Sequence, residues 1–87
     1  MSDWRWEYNT DDPAYHTNGL PTGVVAEVER LATELVALGR DAARAGHPTG
    51  REGGLRSFDI LGGRGVVQFL VVPRHECLYV CNIIWSG

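Results

Sequence analysis

The stretch Ile60-Leu61-Gly62-Gly63-Arg64-Gly65-Val66-Val67-Gln68-Phe69-Leu70-Val71-Val72-Pro73-Arg74-His75-Glu76-Cys77-Leu78 decides the fold. An apolar run dense in β-branched residues sits between two turn signals, so Val66–Val72 reads as a strand. Gly62-Gly63 tolerates positive φ at both central positions of a tight hairpin, and Pro73-Arg74-His75-Glu76 makes the next turn. The flanking segments Leu55–Ile60 and Cys77–Trp85 have the same strand-forming composition. Together the three make an antiparallel meander.

Turn geometry sets strand register. A Gly62-Gly63 turn pairs Ile60 with Gly65, Phe58 with Val67 and Arg56 with Phe69. A turn centred on Arg74-His75 pairs Val71 with Leu78, Phe69 with Val80 and Val67 with Asn82. One face then carries Phe58, Ile60, Val67, Phe69, Val71, Leu78, Val80 and Ile84, interrupted by Arg56 and Asn82. The other face mixes Ser57, Asp59, Gln68, Tyr79, Cys81 and Trp85 with Leu55, Val66, Leu70, Val72, Cys77 and Ile83.

Working back toward the N-terminus, the period changes. Val24, Val28, Leu31, Leu35 and Leu38 recur at three- and four-residue steps, the apolar stripe of an α-helix. Glu27, Glu29, Arg30 and Glu34 fall mostly on the opposite side, and Arg30 and Glu34 can pair one turn apart. Gly39 weakens or bends this helix, and Gly46 stops it before Pro48. His47 to Gly54 reads as a loop. Ahead of the helix, Asp12 and Pro13 suit the start of a short helical turn running to Asn18-Gly19. Trp4, Trp6 and Tyr8 alternate with Arg5 and Glu7, the period of a half-buried strand. The expected fold is therefore one α+β domain over residues 1–87: an N-terminal strand, a short plus a long helix, then the three-strand meander, with the helices on one sheet face. One long helix covers only one face. The mixed face is left to water or to a partner, and its partner-binding candidates are Ser57, Asp59, Gln68, Tyr79, Cys81 and Trp85.

The 87 residues have an ordinary globular balance, 44% hydrophobic and 22% charged, which argues against disorder. No apolar run reaches the roughly 20 residues of a membrane span. Met1-Ser2-Asp3-Trp4-Arg5 lacks the basic start and apolar core of a secretion signal, so a cytoplasmic microbial protein is expected. The formal net charge is −3, and all eight basic residues are arginine, which a GC-rich genome explains as readily as phosphate recognition. That balance does not favour nucleic-acid binding by bulk electrostatics. Charge is nonetheless polarised. Arg40, Arg44, Arg51, Arg56 and Arg64 cluster in the second half, while the first 36 residues hold two arginines against seven acids. Cys77 and Cys81, four apart on a strand, lie about 13 Å from each other, too far for a disulfide. No His or Cys spacing matches a zinc site, so neither a metal nor a cofactor is expected. Gly62-Gly63-Arg64-Gly65 leads into a strand and not a helix, so it reads as a hairpin and not as a phosphate loop.

This layout resembles the RelE/ParE toxin superfamily, whose members are small domains with a strand, a helical hairpin and a three-strand antiparallel meander. The resemblance is clearest from Gly54-Leu55-Arg56-Ser57-Phe58-Asp59-Ile60 through Val66–Val72 to Leu78–Trp85. It implies the toxin of a type II toxin–antitoxin pair, acting by ribosome-dependent mRNA cleavage or on a replication target such as DNA gyrase. It also implies an antitoxin segment wrapped over the domain, which would shelter the mixed face. RelE-like members have a basic concave face and a tyrosine or histidine just past the last strand. Here the chain is acidic, Asp59 falls on that face, and two residues follow Trp85. RNA cleavage by 2′-OH attack needs a base, an acid and a cation near the phosphate. The candidate catalytic residues are Arg51, Arg64 and His47, with Glu52 beside Arg51; His75 is assigned to an outward-pointing turn. The second expectation is a non-enzymatic protein-binding module with a degenerate toxin fold, acting through hetero- or homodimerisation.

Overall fold

The computed structural model describes residues 3–10, 17–48, 50 and 54–86. The short helical turn expected from Asp12 and Pro13 lies mostly outside them. Five strands form one mixed sheet: β1 (Arg5–Tyr8), β2 (His47–Pro48), β3 (Arg56–Ile60), β4 (Gly65–Val72) and β5 (Cys77–Trp85). Their order across the sheet is β1-β5-β4-β3-β2. The pairs β3–β4, β4–β5 and β2–β3 are antiparallel, whereas β1 runs parallel to β5. Helix α1 (Thr22–Val36) and a 3₁₀ segment (Gly39–Arg44) connect β1 to β2. The two-residue β2 adds an edge strand within the segment expected to be loop.

The core lies between α1 and one sheet face. Val24, Val28, Ala32 and Leu35 project from the helix onto Ile60, Val67, Phe69, Leu78 and Val80. Fully burying the valine, leucine, isoleucine and phenylalanine side chains among these contributes roughly 1.5–3 kcal/mol each. Phe58 meets Phe69 edge-to-face at 5.7 Å, the arrangement that sets a positive ring edge against a negative ring face. Trp6 and Tyr8 alternate inward from β1, as their spacing predicts. Arg30 takes Glu34 at 2.7 Å and also Glu27 on the outer face of the helix. Leu38, expected in the apolar stripe, is 49% exposed. The helix ends at Val36, and Gly39 turns the chain with φ +57°, so the helical period no longer governs Leu38.

Gly46 is required twice over. Its φ is +72°, and a Cβ there would stand 2.7 Å from the Phe58 ring and 2.8 Å from the Ser57 carbonyl oxygen. That close approach brings the end of the 3₁₀ segment down onto β3. Arg56, placed by its register at the edge of the core face, turns its guanidinium to the carbonyls of Ala45 (2.7 Å), Gly46 (2.9 Å) and Arg44 (3.3 Å). A charged donor thereby satisfies three backbone acceptors that leave the helical ladder.

The β3–β4 register is the expected one, Ile60 with Gly65 and Arg56 with Phe69. The turn that makes it is a short 3₁₀ bend with Leu61, Gly62 and Gly63 all at positive φ. The β4–β5 register holds from Val72–Cys77 through Phe69–Val80 and then slips. Gln68 pairs with Asn82, so Cys81 is an extra residue on β5, a β-bulge. Beyond it every side chain of β5 changes face. Val67 pairs with Ile83 instead of Asn82. Ile83 and Trp85, expected on the mixed face, pack against the core, and Ile84, expected in the core, is 55% exposed. Gly65 leaves the space in which Trp85 approaches Ile60.

Tyr8 ties β1 to α1, its hydroxyl donating to Glu29 Oε2 at 2.8 Å. Burial, first, and this bond to a carboxylate hold the phenol neutral and push its pKa well above the ordinary value. The folded chain therefore keeps the proton more tightly than the unfolded chain, whose tyrosines titrate near about 10. The associated stability is complete below that pH and is lost as pH rises through the folded value. The thiols of buried Cys77 and half-buried Cys81, also pushed up by burial, act in the same sense from a lower starting pH. We predict that the urea midpoint falls with alkalinity and that Tyr8→Phe flattens the part of the fall above about pH 10. An identical slope in the variant would contradict this.

Candidate functional site

Alternation along the strands places one set of side chains on the sheet face away from α1. At one end Asp59, Val66 and Ile84 lie side by side; next come Ser57, Gln68 and Asn82. Further along, Leu70, Tyr79 and Glu7 adjoin, then Val72, Cys77 and Arg5. Val66, Gln68, Leu70 and Val72 are half-buried by their neighbours within the sheet, and Asp59, Asn82 and Ile84 are exposed. Among the described residues α1 and the 3₁₀ segment lie on the opposite side, and no element is layered over this face. Val66 and Ile84 form one open apolar patch and Leu70 and Val72 another, with the polar row Ser57, Gln68 and Asn82 between them and Asp59 beside Val66. Asn82 donates to the Gln68 side-chain oxygen at 3.1 Å, which holds the centre of the polar row.

Of the six residues expected to bind a partner, Ser57, Asp59, Gln68 and Tyr79 lie on this face. Cys81 is half-buried in the bulge. Trp85 does not belong to the face: it packs on the core side, with the Arg64 guanidinium 5.3 Å from its ring centroid. That contact gives Arg64 a cation–π partner at the hairpin. Of the three catalytic candidates, Arg51 lies outside the described residues, as does Glu52. His47 is exposed on β2 opposite Ser57, and Arg64 lies beyond Ile60 at the far end of β3. At least three residues of strand, about 10 Å, separate their levels. His47 and Arg64 are not brought together.

A different set of polar side chains does converge, at the end of the open face nearest β1. Arg5 donates through Nε to Glu7 at 2.7 Å and through Nη1 to the His75 carbonyl at 3.1 Å. His75 Nδ1 lies 2.9 Å from the Tyr79 hydroxyl, with the two rings edge-to-face. Beneath them Cys77 is fully buried, its thiol interacting with Tyr79 and Arg5. Burial, first, and the Cys77 contact raise the Tyr79 phenol's pKa. A cleft of about 440 Å³ opens beside this cluster, lined by Glu7, Tyr8, Asn9, Thr10 and Tyr79. The sequence offers little signal for this grouping, because Arg5 stands 70 residues from His75 in the chain, and Arg5 and Glu7 meet His75 and Tyr79 through the parallel pairing of β1 with β5.

No group of three or more His, Cys, Asp or Glu side chains that could hold a metal ion occurs among the described residues. Likewise, no described helix is long and apolar enough to cross a membrane. Comparison with protein-family models, with curated proteins and with solved structures finds no match.

The bulge makes a direct prediction about the faces of β5. Ile84→Asp should leave the thermal midpoint nearly unchanged, as surface substitutions usually do within about 0.5 kcal/mol. Ile83→Asp, which sets a carboxylate against the core, should cost several-fold more, about 2–4 kcal/mol. Equal losses, or the reverse order, would remove the bulge from the account.

Proposed function

We propose that this chain is the toxin-like component of a type II toxin–antitoxin pair, in which the open sheet face is covered by an antitoxin segment and acts on translation or on a replication target when bare. The observation that carries the reading is the open face with its two apolar patches, Val66 with Ile84 and Leu70 with Val72, which has no covering layer among the described residues. Such patches lower their free energy when another chain removes them from water. The order strand, helix, meander, in which the resemblance to RelE/ParE toxins lies, supports the same reading. So does the row Ser57, Gln68 and Asn82, which supplies side-chain hydrogen-bonding groups between the two apolar patches.

One observation favours a second reading, a non-enzymatic protein-binding module that works by hetero- or homodimerisation. Asp59 stands on the open face beside Val66 and Ile84, where a carboxylate repels phosphate and suits a protein partner. The same expression experiment separates the two. Under the first reading, induction in a bacterium lacking the neighbouring gene arrests growth, and co-expression of a partner that binds the open face relieves the arrest. Unimpaired growth at high soluble expression contradicts it. A monomer by light scattering at micromolar concentration contradicts the homodimeric form of the second.

A further inference from the structure

The two edges of the sheet are built differently. β2 is two residues long and contains Pro48, which has no N–H to offer a neighbouring strand. β1 has no proline, and from Trp4 onward it alternates the half-buried aromatics Trp4, Trp6 and Tyr8 with the exposed Arg5 and Glu7. The Arg5 N–H donates to the Glu76 carbonyl at 3.0 Å and the Asn9 N–H to the Val80 carbonyl at 2.9 Å, so the odd-numbered residues turn their peptide groups to β5. Residues between them turn theirs the opposite way. Trp6 therefore presents its N–H and C=O at the outer edge of the sheet, beyond which no described strand lies. An edge of this kind is a template for another strand.

Charge order selects the strand. A two-fold axis perpendicular to the sheet sets β1 antiparallel to its own copy. Centring that axis on Arg5 puts arginine opposite arginine, and centring it on Glu7 puts glutamate opposite glutamate, both destabilising. Centring it on Tyr8 needs a carbonyl that already accepts the Thr10 N–H at 2.8 Å. Centring it on Trp6 puts Arg5 opposite the partner's Glu7 and Glu7 opposite the partner's Arg5. The two Trp6 residues then exchange both of their N–H···O=C bonds, as a hydrogen-bonded antiparallel pair does. Within one chain Arg5 and Glu7 already touch at 2.7 Å, with about half of each side chain exposed, so the pairing closes a ring of four alternating charges. On the helix-covered side Trp6 meets its own copy and Tyr8 meets the partner's Trp4, which extends the edge-to-face contact of Trp6 with Tyr8 at 5.3 Å.

We propose that the chain self-associates through β1, antiparallel and centred on Trp6, into a two-fold dimer with one continuous sheet. Both open faces then lie on the same side, and Val66 and Ile84 stay bare, several strands from the seam. The dimer rests on neither functional reading.

The test uses the whole chain, followed by sedimentation from micromolar to millimolar concentration. The unaltered chain should pass from monomer to dimer. Arg5→Glu sets glutamate against glutamate at the seam and Glu7→Arg sets arginine against arginine, so each should weaken association at least about 10-fold. An equimolar mixture of the two variants restores opposite charges at every position and should dimerise again, which loss of folding would not permit. Exchange of the Trp6 amide hydrogen should slow as concentration rises, while that of Glu7, already turned to β5, stays constant. A chain that remains monomeric to millimolar concentration, single variants that dimerise as well as the unaltered chain, or a mixture that gains nothing over either variant overturns the pairing. Ile84→Asp should leave this dimer intact; a dimer lost in Ile84→Asp and kept in both charge variants forms through the open face and overturns the pairing as well.

Discussion

A single helix has to seal a five-stranded sheet, and its dimensions allow it to seal only one side. Fifteen residues of α-helix extend about 22 Å and, with side chains, cover a strip about 10 Å wide. Five strands spaced about 4.8 Å apart make a sheet about 20 Å across. The 3₁₀ segment from Gly39 to Arg44 fills the remaining width on that same side, its buried Ala42 in the core with α1's stripe. Arg56 and Gly46 fasten this join, one by three charged hydrogen bonds and the other by having no Cβ. With both coverings committed to one face, the described residues supply none for the other.

The bulge at Cys81 then determines what the bare face contains. Without it, β5 would continue its alternation and send Ile84 inward with Asn82 beside it. With it, Ile83 and Trp85 extend the core toward Ile60 and Gly65, and the polar Asn82 joins Gln68 outside. One inserted residue thus increases the apolar content of the core and sets a polar row across the centre of the open face. Ile84 is the apolar residue left outside, and with Val66 beside it forms an apolar patch at that end of the open face.

How much of this is legible in the residues depends on whether the deciding interaction is local. The Gly62-Gly63 hairpin and the Arg74-His75 turn fix register through neighbouring residues, so the pairs Phe58–Val67 and Val71–Leu78 follow from the sequence. The helix stripe from Val24 to Leu35 is equally local. The bulge is not, because Cys81-Asn82-Ile83-Ile84-Trp85 carries apolar side chains at consecutive positions and fits either register. Strict alternation along β5 therefore carries Trp85 to the wrong face. Arg56 reads as a charge intruding on the core until the carbonyls of residues 44–46 arrive to meet it. The convergence of Arg5 and Glu7 with His75 and Tyr79 depends on which strand accepts β1, and nothing in the strand's own residues names β5.

One feature underlies the proposed function: a sheet face whose apolar side chains meet water in the free chain. The most direct measurement is methyl NMR of the isolated protein with a soluble paramagnetic relaxation agent. The methyl signals of Val66, Leu70 and Ile84 should broaden strongly, while those of Val67, Val80 and Ile83 stay sharp. Protection of Val66, Leu70 and Ile84 together in the isolated monomer would mean the face is already covered from within, and the account of a surface awaiting a partner would be contradicted.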